Sequence, residues 1–212
     1  MTRVLLAPGR AAELLSVMRQ RRSIRRYSAQ PVPAEDVREL LTAACDAPSA
    51  HNRQPWRFAV LTENEKARLA SAMGSRLRAE RAAAGDDAAA IADDVARSYD
   101  RITHAPVAIL VSASTIDMDR YADTNRAEAE RTMAVQSTAM AVQNLLLVAY
   151  ALGYGACSMC APLFCQPLVR EILDLPADWE PQTLVTLGIP ASSGKPRARR
   201  KLADVVRAGD VP

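Results

Sequence analysis

Residues 126–152 read RAEAERTMAVQSTAMAVQNLLLVAYAL, and GYG follows at 153–155. The opening of this stretch is charged, at Arg126, Glu128, Glu130 and Arg131. After Met133 almost every position is apolar or small, so the helix is apolar on most of its faces. A helix of that kind belongs in the middle of a domain. The glycine after Leu152 supplies a left-handed cap that ends it. The most apolar part, Ala139–Leu152, is interrupted by Gln143 and Asn144 and is too short to be expected to cross a bilayer.

Working outward from this helix, the chain alternates helical and extended patterns. Upstream, APVAILVSAS at 105–114 is a continuous apolar run with β-branched residues, the pattern of a buried strand. Residues 63–80 and 86–102 predict two helices parted by Gly85, the second rich in Ala and acids. RFAVLT at 57–62 predicts a short strand. PAEDVRELLTAACDA predicts a helix with Pro33 and two acids in its first turn, stopped before Pro48. AAELLSVMRQRR predicts a helix with Leu14, Leu15 and Met18 on one face. Downstream, CSMCAP predicts a short strand or loop, QPLVREILDL a helix and QTLVTLGIP a strand. The segment 191–201 is basic, contains Pro196, and is expected to be extended or loop. Helices dominate and the strands are few and short. The expected fold class is therefore α+β, a small central sheet covered by helices. No repeat, low-complexity block or linker divides the 212 residues, so one domain over 1–212 is expected.

Composition narrows function. Hydrophobic residues make up 49% and the net charge is only +3, which excludes a disordered chain. Two Trp, five Tyr and two Phe are too few rings for a base-stacking surface, so no nucleic-acid partner is expected. The opening MTRVLLAPGR has no apolar core of signal-peptide length. With Cys45, Cys157, Cys160 and Cys165 unevenly spaced, reduced thiols and a cytoplasmic, membrane-free protein are expected.

The charge is unevenly placed. Residues 1–30 carry Arg3, Arg10, Arg19, Arg21, Arg22, Arg25 and Arg26 against Glu13. Residues 195–207 carry six basic residues against Asp204, while residues 80–130 carry eleven acids against five arginines. Two basic ends that meet in the fold would hold a phosphate; two solvated basic tails would give the same count. Arg21-Arg22-Ser23-Ile24-Arg25-Arg26 offers guanidinium forks, a hydroxyl and loop N–H groups suited to a phosphate monoester, though cations after a helix C-terminus are favoured in any case. Ser49-Ala50-His51-Asn52-Arg53-Gln54-Pro55-Trp56 places amides and hydroxyls on a loop, either to read the polar edge of a flat heterocycle or simply to turn the chain.

Other chemistries lack their motifs. No GxGxxG, GxxxxGK[ST] or GxSxG occurs. His51 and His104, the only histidines, sit in no metal-binding spacing, and Cys157-x-x-Cys160 has no second pair, so no metal is expected and both thiols are read as buried and structural. No catalytic acid, base or nucleophile can be named.

Taken in order, RRSIRRY, PSAHNRQPWRF, VQNLLLVAYALGYGAC, LFCQPLVREILDLPADWEPQTLVTLGIP and GKPRARRKLADVV resemble the nitroreductase family of FMN-dependent oxidoreductases, over about residues 13–207. Within it, APLFC at 161–165, DLPADWEP at 174–181 and the acidic Ala-rich segment before APVAIL look like the C-terminal reductase domain of coenzyme F-420:L-glutamate ligases. The resemblance implies a nitroreductase-like α-β sandwich forming an intertwined homodimer, with FMN at the interface. It implies that Arg21, Arg22, Ser23 and Arg25 contact the FMN phosphate and ribityl chain, with Arg197 and Lys195 completing the phosphate site. Ser49 and Asn52 would reach the partner's flavin, and the backbone at Cys160 and Ala161 would face the ring. CSMC stands where the ligase-fused domains often carry Trp and Gly, which bears on the substrate pocket. NAD(P)H is the implied hydride donor. The implied acceptor is dehydro-coenzyme F-420, whose enolpyruvyl-type double bond would be reduced in coenzyme F-420 biosynthesis. A general nitro- or quinone reductase and a non-catalytic flavin- or deazaflavin-binding protein remain open beside it. Arg76, Arg78 or Arg81 would suit a polyanionic acceptor, or form a solvated helix face.

Overall fold

Alternation along two strands divides the core. In the computed structural model, which describes residues 9–207, strands β1 (Trp56–Val60), β2 (Val107–Ser114), β3 (Gly155–Met159) and β4 (Trp179–Gly188) form one sheet in the order β1-β2-β4-β3. Every neighbouring pair is antiparallel. Arg3 and the first eight residues of the MTRVLLAPGR stretch lie outside the described residues. Val107, Ile109 and Val111 of β2, with Val185 and Leu187 of β4, face helices α2 (Ala34–Cys45) and α5 (Thr124–Ala151). Ala108 and Leu110, with Leu184, face the other way, toward α3 (Glu63–Ala83), α4 (Ala88–Thr103) and α6 (Gln166–Ile172). Side chains alternate across a strand, so a sheet covered on both faces needs an unbroken apolar run. All of β2 is buried for this reason.

The helix ends follow local chemistry. Thr62 and Glu65 form a reciprocal capping box at the start of α3, and those bonds hold the Glu65 carboxyl below its ordinary range. Asp87 caps α4 and Asp123 caps α5 through their side chains. Gly153, at φ 86°, closes α5 as expected. Helix α5 runs for 28 residues, and one stretch of it is long and apolar enough to cross a membrane by length and composition. The shorter reading from Ala139 is corrected by the continuation of the helix upstream. Its apolar residues go into the core instead: Ala141, Val142, Leu145, Leu146 and Ala149 are buried against α2 and the sheet. Asn144, the apparent interruption, donates to Ala43 O of α2 at 3.1 Å.

Two strands differ from expectation in extent. β4 begins at Trp179 and ends at Gly188, and CSMCAP contributes β3 followed by a 3₁₀ turn at Ala161–Cys165. The first helix, α1 (Arg10–Gln20), forms where expected, but none of its residues is buried. Leu14, Leu15 and Met18 are 49%, 45% and 45% exposed, so the described residues of this chain leave that apolar face uncovered.

After α1 the chain does not leave as a tail. Residues 21–28 lie along the sheet edge: Ser23 pairs with Ala156 of β3, Ile24 N donates to Ala156 O at 3.0 Å, and Ser28 N donates to Ile189 O at 2.9 Å. The Tyr27 hydroxyl donates to Ile24 O at 2.6 Å and shares a 2.8 Å hydrogen bond with Thr186 Oγ1 of β4. Burial raises the Tyr27 ionisation well above the ordinary value of 10.0, so the folded chain keeps a proton that the unfolded chain releases. The stabilisation is fully present below pH 10.0 and is lost as pH rises further. Tyr27→Phe is expected to lower unfolding stability by about 1–3 kcal/mol in urea titrations at neutral pH. The difference between variant and parent should shrink above pH 10.0.

Candidate functional site

Ile24 organises the basic segment. Its side chain is buried while Ser23, Arg25 and Arg26 on either side are exposed, the alternation of an extended chain lying on a sheet. A Cβ on Gly155 would stand 2.8 Å from Ile24, so β3 lets the segment this close only by having no side chain there. Gly194, at φ +74°, makes the matching approach from the C-terminal segment: a Cβ there would meet Ile24 at 2.9 Å and Arg22 at 3.0 Å.

The result is a cleft of about 710 Å³ between the two basic ends. Arg21, Arg22, Ser23 and Arg25 line it from one side, and Lys195 and Arg197 from the other, with the Ser192-Ser193-Gly194 turn between them. The two basic ends are therefore one surface rather than two solvated tails. Arg22 also serves the helix before it, donating through Nη1 to Arg19 O at 2.7 Å and Arg21 O at 2.9 Å, which caps the C-terminus of α1.

Sequence reading missed Arg101, which reaches the same cleft from α4. Nothing in its neighbourhood pointed there, because α4 reads as the acidic helix. Burial, then repulsion from Arg25 and Arg97, pulls its guanidinium below the ordinary arginine range. The Ser-Ser-Gly-Lys turn was the other missed element, and its small residues before a lysine were a legible anion-turn signal. Beneath the cleft lies Cys157, buried in β3; burial pushes its thiol up, against the opposing pull of Arg25, Arg101 and Arg21. It remains a protonated thiol rather than a nucleophile. Cys160 is exposed, which corrects the expectation that both thiols of the CxxC pair are buried; one is structural and the other lies at the surface.

Arginine side chains crowded at one cleft repel one another. Among the described residues, Arg21, Arg25, Arg101, Lys195 and Arg197 have no carboxylate in ion-pair reach, whereas Arg53, Arg57, Arg76, Arg81 and Arg131 do. An anion with several oxygens relieves that repulsion and accepts forked hydrogen bonds, which is what a phosphate group offers.

Ser49 and Asn52 are placed elsewhere. Ser49 Oγ accepts from Gln54 N at 3.0 Å, Ser49 O accepts from Asn52 N at 3.0 Å, and Ala50 N donates to Ser137 Oγ of α5 at 3.3 Å. His51, Asn52 and Gln54 all take the left-handed backbone, at φ 49°, 54° and 49°. Three non-glycine residues in that region make a strained, tightly determined loop. Within one chain neither Ser49 nor Asn52 lines the basic cleft. Ala161 lines a third place, an apolar cavity of about 220 Å³ with Met73, Leu77, Ile102, Met159 and Phe164. Phe164 is 81% exposed beside it. Arg76 also lines this cavity, paired to Glu80 at 2.5 Å; Arg81 is held by Asp86 at 2.6 Å and by Asp94, and Arg78 lies on a separate surface.

Comparison with known proteins bears on the family and the fold. The family model described as the Nitroreductase family matches residues 18–189. An NADH dehydrogenase of Thermus thermophilus is 35% identical over 189 residues, covering 88% of this chain and 91% of its own. Protein DrgA of Synechocystis is 30% identical, with 80% of each chain covered. A solved nitroreductase-type structure from Desulfovibrio desulfuricans, in complex with FMN, superposes with a TM-score of 0.73 at 30% identity, over 94% of this chain and 98% of that one.

Inorganic phosphate is expected to raise the thermal midpoint of the purified protein in proportion to the logarithm of its concentration. Arg25→Ala combined with Arg197→Ala should abolish that rise, with unfolding followed by circular dichroism.

Proposed function

The chain belongs to the nitroreductase family, and from that premise we propose that it is an FMN-dependent reductase, one domain over 1–212 that works as a homodimer and takes its hydride from NAD(P)H. The observation that carries this reading is the cleft in which Arg21, Arg25, Arg101, Lys195 and Arg197 stand around the Gly194 turn without carboxylate partners among the described residues. The donor set fits a phosphate monoester, and the FMN-bound relative supports the choice of ligand. FMN, when bound, supplies two-electron chemistry that separates the visit of the hydride donor from that of the acceptor.

The chain's own residues bind and orient. Arg25, Lys195 and Arg197 would grip the phosphate, Ser23 would offer its hydroxyl to the sugar-like chain, and Cys160 and Ala161 would present backbone to the ring. The face of α1 that the described residues leave uncovered, with exposed Met140 and Leu152 of α5, supports a dimer that would cover such a row of apolar side chains. Dimer formation would also give Ser49 and Asn52 a role that they lack in one chain, at the partner's flavin.

The cavity beside Ala161 is lined mainly by aliphatic and thioether groups. It suits a flat, electron-poor ring and excludes water from it, so we read the acceptor as a nitroaromatic or quinone, which takes up a hydride and a proton while NAD(P)H becomes NAD(P)+. Dehydro-coenzyme F-420 is the second reading; it would require Arg76 at the same cavity to turn from Glu80 to an anionic acceptor. The DLPADWEP segment that suggests it also shapes the fold. Asp178 accepts from Ser114 Oγ at 2.6 Å and Trp179 N donates to Pro176 O at 3.0 Å, which sets the entry into β4.

The purified protein is expected to be yellow, with a flavin absorption spectrum, and dimeric by light scattering. It should oxidise NAD(P)H with menadione or nitrofurazone. Turnover of dehydro-coenzyme F-420 at a higher kcat/KM would establish the second reading instead. Arg25→Ala with Arg197→Ala should weaken FMN binding roughly 100-fold, the loss of two charge-assisted hydrogen bonds at about 1.5 kcal/mol or more each; Gly194→Ala, which presses a Cβ against Ile24 and Arg22 in a left-handed turn, should weaken it as well. A colourless monomer that takes up no FMN would overturn the proposal.

A further inference from the structure

Three segments that share no local motif bring metal-ligand atoms together. His51 stands in the strained loop after α2, Asp119 in the connection between β2 and α5, and Glu130 two turns into α5. One ring nitrogen of His51 and one carboxylate oxygen from each of Asp119 and Glu130 all lie within 4.8 Å of one another. The second observation is independent of that spacing. Glu130 is only 5% exposed, and its Oε2 is buried with no hydrogen-bond partner among the described residues. A buried carboxylate oxygen left without donor or cation is costly, and native structures rarely tolerate one without a function.

The surroundings explain why no arginine satisfies it. Arg131, its neighbour on α5, is already engaged by Glu180 at 2.9 Å and Glu128 at 3.3 Å. Arg53 donates to Asp119 Oδ1 at 2.5 Å, which orients that carboxylate and leaves Oδ2 for another partner. A cleft of about 790 Å³ opens beside Asp119 and Glu130, so ions and water can enter.

We propose that His51, Asp119 and Glu130 form a binding site for a divalent transition-metal ion, zinc in the first instance, with a fourth position open to water from the adjoining cleft. One imidazole and two carboxylates are a three-ligand zinc set, and Zn–N and Zn–O bonds of about 2.0–2.2 Å place tetrahedral ligand atoms about 3.3 Å apart. The ligand atoms here lie within 4.8 Å of one another, so binding an ion would draw the three side chains together. The ion offsets the buried Glu130 charge and ties the His51 loop to α5. The ligands lie away from this chain's own basic cleft, although His51 stands between Ser49 and Asn52 in the loop proposed to reach the partner's flavin; zinc binding is therefore measured directly rather than through reductase activity.

The test uses full-length protein stripped with chelator and then dialysed. Calorimetric titration with ZnCl2 alone is expected to show one equivalent per chain, and His51→Ala and Glu130→Gln should each weaken binding at least tenfold. Cys45 and Cys160 are exposed thiols that also attract zinc, so the same titration is run on Cys45→Ser with Cys160→Ser, which should bind as the parent does. Co2+ should give weak visible bands of nitrogen and oxygen ligation, without the intense near-ultraviolet absorption of thiolate. Circular dichroism in chelator verifies that each variant is folded; His51, being exposed, keeps the test available should Glu130→Gln unfold. Binding unchanged in His51→Ala, binding lost with the two thiols, or no stoichiometric uptake would each overturn the proposal.

Discussion

The approach of residues 21–28 to the sheet edge is the constraint on which the rest of the molecule depends. It is made by backbone hydrogen bonds to Ala156 and Ile189, and it is possible only where side chains are missing, at Gly155 and Gly194. Gly188 has the same role one strand over, where a Cβ would collide with Pro106 and crowd Tyr27. With Ile24 packed down, its neighbours must point up. An apolar contact therefore decides where the cations stand, and the sheet becomes a rigid base for a charged surface. Sites built on such elements hold their geometry better than sites on free loops.

That surface works against folding. Several positive groups at one cleft repel one another, and partial burial of Arg101 adds to the cost. The core under it is ordinary by contrast: two layers of helices against one twisted sheet, packed by Val, Ile, Leu and Ala. Departures from simple folding rules concentrate at functional places. Here they are the crowded cations, the three left-handed residues of the loop at 51–54, and the unpartnered oxygen of Glu130. Two of these three lie together, at the loop and the start of α5, away from the basic cleft.

Much of the fold was legible because its elements obey clean periods. β2 reads as a strand from its unbroken apolar run, and α5 as a core helix from apolar residues on every face beyond Met133. Capping residues such as Thr62, Asp87 and Asp123 mark their helices locally. The basic residues of the candidate site were legible as a charge pattern, which names participants without placing them. Arg101 was not, since a lone arginine in an acidic helix carries no local signal. Nor was the exposure of Leu14, Leu15 and Met18, because helical periodicity predicts an apolar face and is silent on what covers it. The different environments of Cys157 and Cys160 follow from the end of β3, one residue before Cys160.

The amino-acid sequence by itself determined the element order, the α+β class, the central helix and the segregation of positive charge to the two ends of the chain. These are set by near-neighbour rules: side-chain period, capping, turn residues and composition. Only the tertiary structure decided that the two basic ends meet, that Arg101 joins them, and that His51, Asp119 and Glu130 converge. Those juxtapositions rest on close packing between segments distant in the chain, where the absence of one Cβ or the burial of one isoleucine sets a distance that no local pattern encodes.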